Sequence, residues 1–357
     1  MTQIRPKTFD IRAAKLSAEE GFVLSRVVGT ISLHELVNLS GLAEERVLEI
    51  VRRLVEEGAI DVEPPLAPVA PAAGQTVAVC GITDVGLARS NNEDAFRVMD
   101  LTAAESVEVS EHTLVELGPR GMLLVVCDGM GGEKAGEVAS ALAVDVICAH
   151  LASSREEDPA AALRGAVEHA NELVVSAATE PQRRGMGATV IAVLIRGAHA
   201  YTAEVGDSRA YVLRGGTLTQ ITTDQTYVQL LLDQGVLTPE TVKGSTAKNV
   251  VLQAIGKAPQ LVVAQRRLAL RNGDRLLLCS DGLSSYVTDA EIGGVLASRV
   301  SLDEACADLV ALANDRGGHD NITAVAVLLS EPLSPPAPNE SVAETVRTLR
   351  AFALGGA

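Results

Sequence analysis

The most constraining feature of this 357-residue sequence is the stretch 122–132, in which six apolar residues run directly into Asp128 and a group of glycines. An unbroken apolar run bounded by glycines is typical of a strand that is buried on both faces. Asp128 therefore lies where a buried strand ends. Because Gly129 lacks a Cβ, its carbonyl can approach whatever the carboxylate binds.

Two further carboxylates lie beside predicted strands. The apolar run 276–279 leads into Ser280-Asp281-Gly282, and Asp320 lies just before the apolar strand 322–329. Hard divalent cations prefer oxygen ligands of this kind. We expect Asp128, Asp281 and Asp320 to converge on a pair of divalent metal ions. The six histidines are scattered, which favours Mg²⁺ or Mn²⁺ over a zinc site built from imidazoles.

Composition excludes several classes of protein. A hydrophobic content of 47% allows a sizeable core, and a net charge of -16 disfavours non-specific binding to nucleic acid or anionic membranes. The five cysteines lack zinc-type spacing, which is typical of buried thiols in a reducing cytoplasm. We find no signal peptide and no apolar run long enough to span a membrane, so we expect a cytoplasmic protein without a membrane partner.

Composition also divides the chain into four segments. Residues 1–63 form a small helical module, 64–74 a linker rich in Pro and Ala, 75–330 the main domain, and 331–357 a Pro-rich tail. The tail carries apolar residues at helical spacing, which predicts a short amphipathic helix.

The N-terminal module has clear helix signals. Ser17 and Ser32 are each followed three residues later by Glu, the pattern of a capping box that opens a helix. A third helix is predicted over 43–57, ending at Gly58 before the strand-like segment 59–62. The order resembles a winged-helix fold with a truncated wing. Because the module is net acidic, we expect it to bind proteins or to regulate, and not to bind DNA.

The main domain alternates helices with groups of strands. Amphipathic helices are predicted over 135–151 and 159–178, and short strands with Gly-containing turns over 188–221 predict an antiparallel meander. This pattern predicts the α+β class, with a central antiparallel β-sandwich flanked by helices in αββα layers. Residues 222–249 are polar and irregular around a predicted helix at 228–232, and we call this segment the flap.

The acidic residues suggest a reaction. Two divalent ions that share an aspartate lower the pKa of a bridging water from about 15.7 towards neutrality, which supplies a hydroxide nucleophile. Arg89, in a polar loop before Glu93 and Asp94, can hold phosphoryl oxygens with its bidentate guanidinium. These groups support phosphate-ester hydrolysis. The sequence lacks the Cys-x₅-Arg, P-loop, His-Glu-x-x-His and Gly-x-Ser-x-Gly patterns of competing mechanisms.

Seven short motifs in a fixed order resemble those of the type 2C metal-dependent protein serine/threonine phosphatases, in their bacterial form. They are Arg89-x-x-x-Glu93-Asp94, Asp128-Gly129-Met130-Gly131-Gly132, Gly136-Glu137-x-Ala139-Ser140, Met186-Gly187-Ala188-Thr189, Gly206-Asp207-Ser208-Arg209, Ser280-Asp281-Gly282 and Asp320-Asn321-Ile322-Thr323. The resemblance covers the main domain. It implies a β-sandwich with flanking helices, a binuclear Mn²⁺/Mg²⁺ centre, and hydrolysis of phosphoserine and phosphothreonine in proteins by a metal-bridging hydroxide.

The resemblance also implies the metal ligands. Asp128 matches the residue that bridges both ions, the Gly129 carbonyl matches a ligand of one ion, and Asp281 and Asp320 match ligands of the other. Asp207 matches the position that, with Asp281, holds a third, weaker ion.

Three more residues are assigned in the same way. Glu93 and Asp94 belong with the metal-site residues because they match positions that orient metal-bound waters. Arg89 matches the residue that holds the phosphate and is, with Asp128, the expected catalytic residue.

The sequence departs from the pattern of the family at three positions. Relatives often have His where this chain has Glu133, and Asp-His-Ser where it has Asp224-Gln225-Thr226. Thr189 follows Ala188 where a second Thr is usual. A histidine general acid contributes about 10²- to 10⁴-fold. We therefore hypothesise that the metal chemistry is retained while turnover of alkyl phosphates is modest.

The leading interpretation is a cytoplasmic bacterial protein phosphatase that opposes serine/threonine kinases and acts on phosphorylated proteins. One alternative is a catalytically weak phosphoprotein-binding adaptor or regulator of phosphorylation signalling. Another is a transcription factor whose phosphatase-like domain is a sensor, which the acidic N-terminal module disfavours.

Overall fold

The structure is a computed structural model that describes residues 3–7, 16–42, 44–63, 75–107, 109, 113–131, 135–238 and 250–352. The chain divides into two compact units, Met1–Ala70 and Pro71–Ala357. Each unit has a hydrophobic core of its own. The predicted linker at 64–74 lies outside the described residues, and the four-segment division stays a prediction.

In its described residues, the first unit is a three-stranded antiparallel sheet with three helices. Its elements are β1 (Gln3–Pro6), α1 (Ala18–Arg26), β2 (Ile31–Ser32), α2 (Leu33–Ser40), α3 (Glu44–Glu56) and β3 (Ile60–Glu63), with β1 between β2 and β3. The capping boxes predicted at Ser17 and Ser32 are both present. The sequence pattern does not predict β1. A segment with one buried apolar residue, Ile4, shows no alternation of apolar and polar residues. The winged-helix likeness stays a prediction.

The second unit contains two antiparallel sheets and the remaining helices. Its strands are β4 (Thr76–Asp84), β5 (Asp94–Asp100), β6 (Glu105–Ser106), β7 (Thr113–Glu116), β8 (Met122–Met130), β9 (Gly187–Ala188), β10 (Val190–Arg196), β11 (His199–Val205), β12 (Arg209–Arg214), β13 (Thr217–Gln220), β14 (Ala264–Ala269), β15 (Arg275–Cys279), β16 (Ile322–Leu329) and β17 (Val346–Arg350). Its described α-helices are α4 (Ala135–Ser153), α5 (Pro159–Ala177), α6 (Tyr227–Asp233), α7 (Asp281–Ser284), α8 (Asp289–Ser298), α9 (Leu302–Asp315) and α10 (Val342–Thr345). A 3₁₀ turn covers Pro181–Arg183.

The sheets stack as the two central layers of a sandwich. Sheet I has the order β17-β14-β11-β10-β8-β5-β6 with β9 beside β8, and sheet II has the order β13-β12-β15-β16-β4-β7. Apolar residues from both sheets form one buried cluster between them. Helices α4 and α5 cover the outer face of sheet I, and α8 and α9 cover that of sheet II. The predicted α+β class and αββα layering are confirmed.

Helix α4 is a core helix, although by length and composition alone it could cross a membrane. Half of its apolar stretch is buried. Ala139, Ala143 and Ile147 belong to the hydrophobic cluster between α4, α5 and sheet I. The expectation that no apolar stretch would be long enough was wrong, because a helix buried against both a sheet and a helix is apolar on most sides.

The strands at 188–221 do not form one continuous meander. Strands β10 and β11 pair in sheet I, whereas β12 and β13 pair in sheet II, so the chain changes sheet between Val205 and Arg209. Gly206 makes the turn with a φ of 106°, a conformation that favours glycine. The crossover places Asp207 between the two sheets at one end of the sandwich.

The tail differs from its prediction beyond Thr345. The helix α10 covers only Val342–Thr345, and the chain continues as β17, which pairs with β14 at the edge of sheet I. The edge strand β14 offers unpaired backbone N–H and C=O groups. By pairing with it, the tail makes more backbone hydrogen bonds than an isolated helical turn would, which favours a strand over a longer amphipathic helix.

Candidate metal centre

Carboxylates from both sheets meet at one end of the sandwich. Asp94, the first residue of β5, is the direct cross-strand partner of Asp128 in β8. Asp281 begins α7 directly after β15, and Asp320 lies two residues before β16. Together with Asp207 at the crossover, they surround or line a cavity of about 640 Å³. The convergence expected for Asp128, Asp281 and Asp320 is present in the geometry.

Glycines allow the backbone to close around this cavity. A Cβ on Gly129 would overlap the carbonyl oxygens of Glu93 and Gly136, and one on Gly282 would overlap the carbonyl of Asn321. Each glycine therefore lets a carboxylate-bearing turn approach its neighbour more closely than any other residue would.

The Asp94 carboxylate is held by hydroxyl groups from sheet II. Ser280 Oγ and Thr323 Oγ1 each donate a hydrogen bond of 2.7 Å to Asp94 Oδ2. Asp94 Oδ1 is buried and accepts no hydrogen bond from any residue that the structure describes. A buried carboxylate oxygen without a donor is costly unless a cation or a water molecule meets it.

Asn321 holds the loop that carries Arg89 and Glu93. Its Oδ1 accepts a 2.8 Å hydrogen bond from the Glu93 backbone N–H, and its Nδ2 donates to the carbonyls of Val85 and Asn91, each at 2.9 Å. All of the amide's polar atoms are thus used to fix backbone.

Thr189 holds the turn after Asp128 in a similar way. Its Oγ1 accepts a hydrogen bond from the Asp128 backbone N–H at 3.2 Å and lies 2.7 Å from Ser208 Oγ. Its own N–H donates to the Asp128 carbonyl at 2.9 Å. The side chain of Thr189 therefore links strand β8 to the crossover at Asp207.

These supporting residues had no role in the sequence interpretation. Ser280, Thr189, Asn321 and Thr323 stood inside the matched motifs, but they were read only as parts of a pattern. The signal that could have found them is a polar residue beside a carboxylate at the end of an otherwise apolar strand.

Burial and mutual repulsion disfavour ionisation of the clustered carboxyls. Desolvation raises the pKa of Asp94 to about 7, and Asp281 and Asp320 add repulsion, while the hydroxyls of Ser280 and Thr323 oppose the rise. Desolvation, followed by repulsion from Asp281, raises the pKa of Asp207 to about 7.

The two central carboxyls follow the same rule. Desolvation and the charge of Asp94 raise the pKa of Asp128 well above its usual range, and desolvation and Asp320 raise the pKa of Asp281. Without a cation, the cluster therefore retains protons that free carboxyls would lose.

Arg89 lies at the rim of the cavity. Its side chain is 50% exposed, and its Nη2 makes a 2.8 Å ion pair with Asp320 Oδ2. Glu93 also lines the cavity, and desolvation raises the pKa of its carboxyl while the charge of Arg89 lowers it. The rim thus offers the one positive group among the charged residues lining the cavity in the described part of the chain.

The donor set fits hard divalent cations that retain water. Within the described ranges, no three His, Cys, Asp or Glu side chains are arranged to enclose one ion by themselves. Mg²⁺ and similar ions commonly take only one or two carboxylates each and complete their coordination with water or carbonyl oxygens. A cation in the cavity would meet the orphaned Asp94 Oδ1 and offset the desolvation and repulsion that raise the pKa of Asp94, Asp128, Asp207 and Asp281.

Gln225, one of the two residues that replace family histidines, does not line the cavity. It is 1% exposed, and its Oε1 accepts hydrogen bonds from Gly206 N at 2.8 Å and from Gln253 Nε2 at 2.7 Å. Its backbone N–H donates to the Gly206 carbonyl at 2.9 Å, and its carbonyl accepts from Leu252 N at 2.7 Å. Gln225, near the start of the flap, thus links Leu252 and Gln253, which follow the flap in sequence, to the turn before Asp207. The other such residue, Glu133, lies outside the described residues.

Comparison with known proteins identifies the family. Residues 112–324 match the family model described as protein phosphatase 2C. The serine/threonine protein phosphatase PstP of Mycobacterium tuberculosis is 39% identical over 246 residues, which cover 68% of this chain and 43% of PstP. The serine/threonine phosphatase stp of Listeria welshimeri is 36% identical over 210 residues, 57% of this chain and 83% of the relative.

Solved structures agree with these matches. The crystal structure of the catalytic domain of PstP in complex with two manganese ions covers 72% of this chain and all of that domain, with a TM-score of 0.60 and 33% identity. The present chain spans less than half the length of full PstP. The matched residues include the strands and turns that carry Asp128 and Asp281. The chain therefore belongs to the protein phosphatase 2C family.

Proposed function

We propose that this chain is a metal-dependent protein phosphatase that hydrolyses phosphoserine and phosphothreonine in proteins. The observation that supports this most is the meeting of carboxylates from both sheets around one cavity, with Arg89 at its rim. The relatives PstP and stp, which match the chain, are named as serine/threonine phosphatases.

We infer that Asp128 would be the carboxylate common to two ions, that the Gly129 carbonyl would bind one of them and Asp281 and Asp320 the other, and that Asp207 with Asp281 would hold a third, weaker ion. When bound, Mn²⁺ or Mg²⁺ supplies a water molecule that is activated for attack near neutral pH. The two manganese ions in the PstP structure support the choice of metal.

The remaining residues position the reactants. Asp94 and Glu93 accept hydrogen bonds from waters in the cavity and fix their orientation. Arg89 exchanges its ion pair with Asp320 for the phosphoryl oxygens of the substrate, which its planar guanidinium can hold in a bidentate way. Glu93 remains near Arg89 and keeps the guanidinium over the cavity.

The partners follow from this activity. We assign phosphorylated proteins that are substrates of serine/threonine kinases as its substrates, and a cytoplasmic site of action. The first unit is net acidic, which supports a protein-binding or regulatory role over DNA binding.

The test is hydrolysis of a phosphothreonine peptide by the purified full chain. We expect phosphate release with Mn²⁺, none with EDTA, and loss of turnover in Asp128→Asn with the fold retained. Hydrolysis that is equal in EDTA would contradict the metal mechanism. Tight binding of the phosphopeptide without turnover under all metal conditions would instead support the adaptor.

A further inference from the structure

A second pocket, of about 320 Å³, lies beside the flap and is distinct from the metal cavity. We call it the flap pocket. Its charged lining residues are Glu204, Asp224, Asp233 and Arg266, and its apolar walls include Leu230, Leu252 and Phe352. The volume is at the small end of ligand pockets and suits a single side chain better than a nucleotide or a cofactor.

Glu204 is buried at the base of this pocket. It lies on β11, where successive side chains point to opposite faces of the sheet. Ala203 and Val205 face the helices, so Glu204 and Ala200 point to the face between the sheets. Its Oε1 accepts hydrogen bonds from Arg266 Nη1 at 2.9 Å and from Thr223 N at 3.3 Å. The residue is 2% exposed, yet Oε2 accepts no hydrogen bond within the described part of the chain. A carboxylate placed in this way lacks one donor.

The chemistry of the lining selects an organic cation. Glu204, Asp224 and Asp233 line the pocket together with one guanidinium, that of Arg266. Asp224 is paired with Arg209 at 2.6 Å, and Arg266 is committed to Glu204 and, through its Nη2 at 2.8 Å, to Thr223 Oγ1. The described lining thus has no uncommitted cation, whereas Glu204 Oε2 has no donor and Asp233 is exposed. An anion is therefore disfavoured. The apolar walls suit the alkyl stem of a basic side chain.

The tail builds one wall of the pocket. Strand β17 pairs with β14, and the two residues after it, Ala351 and Phe352, line the pocket opposite the flap helix α6. The pocket therefore unites three parts of the chain that are distant in sequence, namely β11, the flap and the tail.

The flap pocket and the metal cavity share a wall. Val251 lines the cavity and the next residue, Leu252, lines the pocket, while Asp207 lines the cavity three residues after Glu204. Three residues of chain span at most about 10 Å, and the turn at Gly206 shortens this distance. A polypeptide whose phosphorylated residue enters the cavity can thus place a side chain a few residues away in the pocket.

We propose that the flap pocket binds an arginine or lysine side chain of the phosphorylated polypeptide, with Glu204 as the group that recognises the cation. This deepens the function proposed above by naming basic phosphoproteins as the preferred substrate class. The net charge of -16 favours encounter with such polypeptides.

The first experiment measures binding without turnover. Metal-free full chain is titrated with N-acetyl-arginine amide and with the citrulline analogue, which has nearly the same shape and no charge, and chemical shifts or heats are recorded. We expect arginine to bind about tenfold or more tightly than citrulline, and Glu204→Gln to remove this preference. The control Glu172→Gln neutralises an exposed carboxylate on α5, and this variant should keep the preference for arginine over citrulline.

A second variant keeps the result decisive if Glu204→Gln is unstable. Phe352→Ala removes an apolar wall while leaving Glu204 and its partners in place, and we expect it to weaken arginine binding several-fold without changing the thermal midpoint. Equal binding of arginine and citrulline to the wild-type chain would overturn the proposal, as would an undiminished preference in a folded Glu204→Gln protein.

The second experiment measures substrate preference. Phosphothreonine peptides with Arg or Gln placed two to six residues from the phosphorylated residue are compared with Mn²⁺ present. We expect KM to be lower for at least one Arg peptide, and the ratio of kcat/KM values to approach one in Glu204→Gln. Arginine binding that depends on Glu204 but leaves KM equal across the peptides would assign the pocket to free cations and overturn its role in substrates. Absence of all turnover would overturn the proposed function, while the binding result still decides the pocket.

Discussion

Asp94 and Asp128 stand directly opposite each other on strands β5 and β8, so that two carboxyls share one face of sheet I at its end. The folded-state pKa of Asp94, about 7, is higher than its ordinary value. A carboxyl with a raised folded-state pKa contributes stability at low pH that is lost as the pH rises through the folded-state value. The metal-free protein should therefore lose stability between about pH 4 and pH 7.

Replacing one of these carboxyls should reverse that loss. We expect metal-free Asp94→Asn to melt at a higher temperature than wild type at pH 8, and at nearly the same temperature at pH 4.5. The Asn side chain is uncharged, and its amide oxygen can still accept from Ser280 and Thr323. Thermal melts in EDTA measure this, with Glu172→Gln as an exposed carboxylate control. Equal or lower melting of Asp94→Asn at pH 8 would contradict the repulsion described for the cluster.

Arg89 should contribute to substrate binding through its fork of donors. Arg89→Ala removes the charge-assisted interaction with the phosphoryl group; one such hydrogen bond is worth about 1.5–3 kcal/mol, so kcat/KM should fall by at least about 10- to 100-fold. Arg89→Lys retains the charge but not the bidentate geometry, so its kcat/KM should lie between the values of wild type and Arg89→Ala. Steady-state kinetics on p-nitrophenyl phosphate and on a phosphothreonine peptide should show the same loss, because both share the phosphoryl group. A loss confined to the peptide would instead place Arg89 in protein recognition.

Gln225 should be required for stability and not for proton transfer. Gln225→Ala leaves the Gly206 N–H without its acceptor, which costs about 1–3 kcal/mol. We expect a thermal midpoint several degrees lower. Gln225→His restores the residue common in the family, but a side chain at this position does not line the cavity. The rate on phosphothreonine peptide relative to p-nitrophenyl phosphate should therefore stay unchanged, and a tenfold rise in that ratio would show that position 225 reaches the leaving group.

The buried ion pair between Arg214 and Asp274 should stabilise the second unit. Both side chains are 1% exposed, and Arg214 also donates to Thr345 Oγ1 in the tail at 2.7 Å. Asp274→Ala leaves a buried guanidinium without its partner, which costs about 3–5 kcal/mol. The matched change Asp308→Ala breaks an exposed pair with Arg299 and should cost at most about 1 kcal/mol. Urea unfolding of both variants measures the difference, and equal midpoints would contradict it.

The strand ends of the metal site were predictable because they follow local rules. Apolar runs that stop near an Asp-Gly pair mark the end of β15 and, to within two residues, that of β8, and helices α1 and α2 begin at capping boxes that the sequence displays. The ordered motifs then placed Asp207 and Arg89 in the same site. The layered α+β fold follows from the same alternation of helices and strands.

The remaining features depend on contacts between distant residues. Whether β12 continues sheet I or joins sheet II is decided at Gly206, whose turn the sequence alone does not specify. The strand β17 exists because β14 offers an open edge, a fact of topology and not of the tail's own pattern. Likewise, Gln225 and Glu204 are buried because the flap packs next to β11. Their roles could not be inferred from the residues adjacent to them in sequence.

We expect Asp128, Asp281 and Asp320 to bring two divalent cations together. Crystals of the full chain grown with Mn²⁺ would test it most directly through the anomalous scattering of manganese. We predict two strong anomalous peaks in the cavity, both beside the Asp128 carboxylate, and loss of at least one in Asp128→Asn. An anomalous map without peaks in that cavity at saturating Mn²⁺, from a crystal with the cavity open to solvent, would contradict the account.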